Sequence, residues 1–105
     1  HNRYVVLTLA GTPNDPFVIQ QALVLIGRSE GDIVTHDPQC SRRHAQLHLE
    51  NDGSVWLEDL GSTNGTLLKG HPIDTKSRLE PNAEFVCGQT RFQLMVQPIA
   101  RGRKT

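Results

Sequence analysis

The chain has 105 residues, the length of one ordinary domain, and its 11 basic and 11 acidic residues balance. A domain of that size buries a core without staples, and the balanced charge argues against a dedicated nucleic-acid binder, which carries a clear basic excess. Two cysteines, Cys40 and Cys87, form neither a disulfide framework nor a metal signature, and no run approaches the ~18 consecutive apolar residues of a membrane-spanning helix.

Along the chain, alternation is plain where helical periodicity is hard to find. Val5, Leu7 and Leu9 are separated by Val6 and Thr8. Leu23 to Ile26 is a short apolar run closed by Gly27-Arg28. Leu47 and Leu49 alternate with Gln46, His48 and Glu50, Val55 and Leu57 with Ser54, Trp56 and Glu58, and Phe92, Leu94 and Val96 with Arg91, Gln93, Met95 and Gln97. Period two places one face in a core and one toward solvent, the strand signature. Trp56 and Met95 fall on the wetter faces, so partial cover of those faces is expected. Turn residues cut the chain at short intervals: Gly11 to Pro16, Asn51-Asp52-Gly53, Gly61 to Gly65, Lys69-Gly70 and Pro81-Asn82. Strands are expected near 3–10, 17–20, 23–27, 32–35, 45–50, 54–59, 66–69, 71–73, 77–80, 84–88 and 91–97. Many short strands so spaced indicate an all-β sandwich. One domain is expected over 1–105, with its core at about 3–97 and a basic, frayed tail at 98–105 around Arg101-Gly102-Arg103-Lys104. Nothing at the N-terminus reads as a secretory signal, so reduced thiols and a cytoplasmic location are expected. The opening His1, in place of Met, points to a piece excised from a longer protein.

Three clusters carry chemistry, and all three fall where strands end: Gly27-Arg28, Ser41-Arg42-Arg43-His44 and Gly61-Ser62-Thr63-Asn64-Gly65-Thr66. Arg28, Arg42 and Arg43 offer planar guanidinium forks that suit phosphate oxygens. Ser41 and Thr63 add hydroxyl donors, and Asn64 presents both a donor and an acceptor to a peptide backbone. Donors greatly outnumber carboxylates, which describes a site for an anion with several acceptor oxygens.

The order and spacing of Gly27-Arg28, Ser41-Arg42-x-His44 and Asp59-Leu60-Gly61-Ser62-x-Asn64-Gly65-Thr66 resemble the forkhead-associated (FHA) domain pattern. Single pieces of it are weak, but three in order in a strand-rich chain are specific, and the resemblance runs from about Arg3 to Gln97. It implies an FHA-like β-sandwich of about eleven strands, with ligand loops at one end that bind phosphothreonine in a partner protein. It also implies no catalysis and no cofactor. By position, Arg28 would contact the phosphate, Ser41 would donate its hydroxyl to it, and Arg42 would lie beside it. Arg43 would face the peptide or solvent, Thr63 would line the site, and Asn64 would hold the peptide main chain. Gly27, His44, Gly61, Gly65 and Thr66 would shape the loops. The implied partner is a phosphothreonine-containing protein or peptide made by a Ser/Thr kinase, with no nucleic acid and no membrane, and the isolated domain would be monomeric. Two departures stand out: a short Ser29-Glu30-Gly31 loop, and Lys69-Gly70 where the family commonly has Asn-Gly.

Several other readings compete. Ser41, His44 and Asp59 suggest a hydrolytic triad, but no Gly-x-Ser-x-Gly elbow is present. The glycines of 61–65 suggest a nucleotide loop, but the Walker lysine is missing. His36, Cys40 and His44 are spaced by four, but Pro38 speaks against the helix that would align them as metal ligands. Asn64-Gly65-Thr66 matches a glycosylation sequon and reads better as a turn. Cys40 is either a thiol acidified by its arginine neighbours or a partly buried inert one, and the second is preferred. A different class of binding, a phosphate-independent scaffold using the face of Trp56 and Met95, is the alternative function.

Overall fold

In the computed structural model, residues 3–9 and 12–98 are described. They form eleven strands: β1 (Arg3–Leu9), β2 (Thr12–Ile19), β3 (Leu23–Gly27), β4 (Ile33–Val34), β5 (Ala45–Leu49), β6 (Val55–Asp59), β7 (Thr66–Leu68), β8 (His71–Pro72), β9 (Ser77–Leu79), β10 (Glu84–Cys87) and β11 (Thr90–Pro98). One sheet runs β2-β1-β11-β10-β7-β8 and the other β4-β3-β5-β6-β9. Of the tail expected at 98–105, Pro98 is instead the last residue of β11, and the rest lies outside the described residues. No helix among the described residues is long and apolar enough to cross a membrane.

The alternation of the sequence is the alternation of burial. Val24 and Ile26 on β3, Ala45 and Leu47 on β5, and Val55 and Leu57 on β6 point inward from one sheet. Val5 and Leu7 on β1, Phe85 and Cys87 on β10, and Phe92 and Leu94 on β11 meet them from the other. Each Val, Leu, Ile or Phe among them contributes about 1.5–3 kcal/mol by leaving water. Phe85 and Phe92, opposite each other across β10 and β11, stack with ring centroids 5.2 Å apart. On the outer faces Trp56 and Met95 are half-buried, the partial cover expected of them.

The turns at the end away from the chemistry close locally. Asn51-Asp52-Gly53 joins β5 to β6, with Gly53 at φ +89° and Asp52 Oδ1 accepting from both the Ser54 N–H (2.9 Å) and its hydroxyl (2.6 Å). Pro81-Asn82 forms a turn closed by the Ala83 N–H to Glu80 carbonyl bond (3.0 Å), with Asn82 at φ +71°. Lys69-Gly70 turns as expected, with φ +54° and +80°.

One segment corrects the reading from sequence. Gly11 to Pro16 is not simply a turn, because β2 already begins at Thr12. The register shifts between Leu7 and Leu9, which pair with Phe17 and Thr12 respectively, so β2 bulges against β1. It is an edge strand, where proline costs no ladder bond on its open side.

Candidate functional site

Three loops meet at one end of the sandwich: the residues after β3, the segment between β4 and β5, and the loop from β6 to β7. Gly27 allows the first two to meet. A Cβ there would stand 1.9 Å from the Arg42 carbonyl oxygen and 2.4 Å from that of Glu30, so no other residue fits. The short 29–31 loop folds back on β3. Asp32 donates its N–H to the Leu25 carbonyl (2.8 Å) and accepts the Leu25 N–H on Oδ2 (2.9 Å).

Arg28 is anchored twice. Its N–H reaches the Ser41 carbonyl (2.9 Å), and its half-buried guanidinium donates from Nη1 to the Cys40 carbonyl (3.1 Å). His44, 0% exposed, ties two loops together. Its Nδ1 accepts the Ser41 N–H (3.0 Å), which requires the ring hydrogen to sit on Nε2, where it is donated to the Gly65 carbonyl (2.9 Å). Ser41 Oγ accepts the Thr63 N–H (3.0 Å) and keeps its own hydrogen for a further acceptor.

Asp59 governs the third loop. Its carboxylate accepts the Gly61 and Ser62 N–H groups (both 3.1 Å), the Ser62 hydroxyl (2.5 Å) and the buried Thr66 hydroxyl (2.7 Å). Burial opposes its ionisation, but these bonds outweigh burial and hold the carboxyl below the ordinary aspartate range. Gly61 and Gly65 adopt φ of +75° and +82° with no atoms crowding them, so they are needed for conformation rather than space.

The result is an open cleft of about 450 Å³ lined by Arg28, Pro38, Gln39, Cys40, Ser41, Arg42, Arg43, Thr63 and Asn64. All six residues singled out for ligand contact line it, with three arginines and no carboxylate among the lining residues. Arg42 and Arg43 are exposed; Arg43 has Glu30 at 3.9 Å, a loose surface pair. Asn64 is not idle in the free protein: its Nδ2 donates to the Gln39 carbonyl (2.8 Å) and more weakly to Gln39 Oε1 (3.3 Å), leaving Oδ1 as an acceptor.

The competing constellations do not assemble. Ser41 offers His44 its backbone N–H rather than its hydroxyl, and Asp59 bonds Ser62 and Thr66, so the three form no proton relay. Cys40 is 2% exposed and donates to the Cys87 carbonyl (3.1 Å); burial pushes both thiols up, which identifies Cys40 as the inert thiol rather than the acidified one. With Cys40 and both His44 nitrogens so engaged, they form no metal set with His36.

Sequence reasoning passed over Asp37, Gln39 and Gly88. Asp37-Pro38 is a turn signal, which was the available hint for Asp37. Gly88 approaches the 37–40 segment only through the fold, and Gln39 gains its place in the cleft the same way.

A family model described as the FHA domain matches residues 24–88, more than half of the chain. FHA domain-containing protein FhaB of Mycobacterium tuberculosis is 36% identical over 94 residues, which are 88% of this chain and 59% of FhaB, so the chain spans about three fifths of that relative. The FHA domain of CT664 protein from Chlamydia trachomatis superposes with a TM-score of 0.80 at 33% identity, covering 88% of this chain and 96% of that one. Mycobacterium tuberculosis EmbR, solved in complex with a low-affinity phosphopeptide, shares the fold with a TM-score of 0.83 at 22% identity, over 94% of this chain and 26% of EmbR.

Proposed function

The chain belongs to the FHA domain family, and from that premise we propose that it is a phosphothreonine-peptide recognition module that brings together proteins after phosphorylation. The observation that carries this reading is the cleft: three arginines, two hydroxyl-bearing residues and Asn64 converge there without a carboxylate. That FHA domains recognise phospho-motifs with arginine clusters is a known mode of the family. The phosphopeptide bound by EmbR, a protein of the same fold, supports it.

The physical chemistry follows from charge. A phosphorylated threonine carries about −1.5 to −2 at neutral pH and three acceptor oxygens. Each charge-assisted bond contributes roughly 1.5–3 kcal/mol, so two or three amount to about a thousandfold preference over the bare hydroxyl. Arg28 is pre-oriented by the Cys40 carbonyl, which lowers the ordering cost of its contact. Ser41 has a hydroxyl hydrogen to donate, Arg42 reaches the same space, and Arg43 and Thr63 flank it. Asn64 Oδ1 accepts a peptide N–H beside the phosphothreonine, while Nδ2 exchanges its weaker Gln39 contact for a peptide carbonyl.

The test is a titration of the domain with degenerate phosphothreonine, phosphoserine and unmodified threonine peptide libraries. Selective binding to the first is expected. Binding to none would overturn the reading in favour of a phosphate-independent scaffold.

A further inference from the structure

The cleft wall at Pro38–Cys40 follows β4 of one sheet, yet its anchor lies on the other sheet. Asp37, 9% exposed, has a carboxylate that no ligand contact employs. Its Oδ1 accepts the Gln39 N–H (2.9 Å); its Oδ2 accepts the Gln89 N–H (2.8 Å) and the Thr90 hydroxyl (2.7 Å). Gln89 belongs to the turn from β10 to β11, and Thr90 is the first residue of β11. The same turn is tied again by Cys40 Sγ to the Cys87 carbonyl (3.1 Å). Gly88, at φ +65°, leaves no gap: a Cβ on it would meet Gln39 C at 2.8 Å and Asp37 Oδ2 and Cys40 N at 2.9 Å.

Two ligand-facing side chains hang from this wall. The Cys40 carbonyl takes Arg28 Nη1 (3.1 Å), and the Gln39 carbonyl takes Asn64 Nδ2 (2.8 Å). We propose that Asp37 is a positioning residue of the cleft: braced on Gln89 and Thr90, it sets the Gln39 and Cys40 carbonyls and through them holds the Arg28 guanidinium and the Asn64 amide in place before ligand arrives. The effect on affinity rests on the phosphothreonine reading, whereas the brace itself is a property of the free protein. Asparagine cannot replace the aspartate. With one oxygen on the Gln39 N–H, its NH2 would face the Gln89 N–H, donor against donor.

The experiment pairs affinity with nuclear magnetic resonance on the purified chain. With a fluorescein-labelled degenerate phosphothreonine library, Asp37→Asn is expected to weaken binding about tenfold and Thr90→Val about threefold, as loss of charge-assisted bonds behind the site. Thr90→Ser, which keeps the hydroxyl, restores wild-type affinity. In the ligand-free ¹⁵N-labelled protein, Asp37→Asn and Thr90→Val shift and broaden the Arg28 guanidinium and Asn64 side-chain signals. The Trp56 Nε1–H signal, held on the Ser54 hydroxyl (3.1 Å) at the far end of the sandwich, stays put. A merely structural role for Asp37 would lower thermal stability and leave the Arg28 and Asn64 signals alone. Folded Asp37→Asn or Thr90→Val with wild-type affinity, or with wild-type Arg28 and Asn64 signals, overturns the proposal. Should Asp37→Asn fail to fold, Thr90→Val and Thr90→Ser decide it. Should the wild-type domain bind no library, the phosphothreonine reading falls, and the signals of the free protein still decide whether the brace exists.

Discussion

The two ends of the sandwich are both made of turns, and they are built in opposite ways. At the far end Asp52 bonds Ser54, Ala83 bonds Glu80, and Lys69-Gly70 turns on itself; each turn closes chiefly within a few residues, with the Asn82 N–H to Leu94 carbonyl bond (2.8 Å) reaching the adjoining strand. At the cleft end the bonds cross between loops: Arg28 to Cys40, His44 to Gly65, Thr63 to Ser41, Asn64 to Gln39, and Asp37 to Gln89 and Thr90. A locally closed turn connects strands and can vary alone. A cross-braced set of loops holds donors at fixed separations, which is the arrangement a polyanionic ligand rewards. Changes at the far end should therefore move stability alone, and changes at the cleft end should separate binding from stability.

The largest expected effect on binding is Arg28→Ala. It removes the best-anchored cation, and losing two charge-assisted bonds lowers phosphothreonine-peptide affinity by about a hundredfold or more. Circular dichroism should show the same all-β fold. A folded variant that binds normally would break the assignment of Arg28. Gly27→Ala should act through stability instead. The 1.9 Å clash with backbone cannot relax through a side chain, so a loss of at least about 2 kcal/mol and a drop in Tm of roughly 10 °C or more are expected by thermal denaturation.

Acid should separate the two properties along the pH axis. The Thr90 hydroxyl, ahead of the backbone donors, holds Asp37 below the ordinary carboxylate range, and the hydrogen bonds of Asp59 do the same against its burial. A depressed folded-state pKa stabilises the fold above the unfolded value of about 3.9, and that contribution is lost as pH falls through the folded value. Thermal stability should thus decline below about pH 4. The second ionisation of the phosphate lies near 6, so peptide affinity should already fall between about pH 7 and 5 while the fold holds. Tm and affinity measured on one pH series test this; coincident losses would contradict it. The smallest effect is at the far end. Lys69, at φ +54°, occupies a turn position that asparagine adopts more readily, so Lys69→Asn should raise stability by about 0.5 kcal/mol and leave affinity unchanged.

Much of this molecule was legible in its residues. The β5–β6 hairpin followed from Asn51-Asp52-Gly53 between alternating runs, and the β11 strand from the alternation of Phe92, Leu94 and Val96. The six cleft residues were found because donors clustered beside turn glycines. The start of β2 was not legible, since its prolines are tolerated only because that strand lies at an edge. Gln39 was missed because its polar side chain resembles any surface residue until Asn64 reaches it. Gly88 and Asp37 were missed because their partners lie across the sandwich.

Periodicity, turn chemistry and residue type act over two to five neighbours, so the amino-acid sequence by itself determined most of the strands and turns and the donor-rich character of the cleft loops. The pairing of β3 with β5 and of β1 with β11, the bulge in β2, and the bracing of the cleft wall by the β10–β11 turn were decided only by tertiary structure. Apart from the β2 bulge, those contacts join residues from 19 positions apart (Ile26 and Ala45) to 95 (Arg3 and Pro98), and burial between two closed sheets is what brings them together.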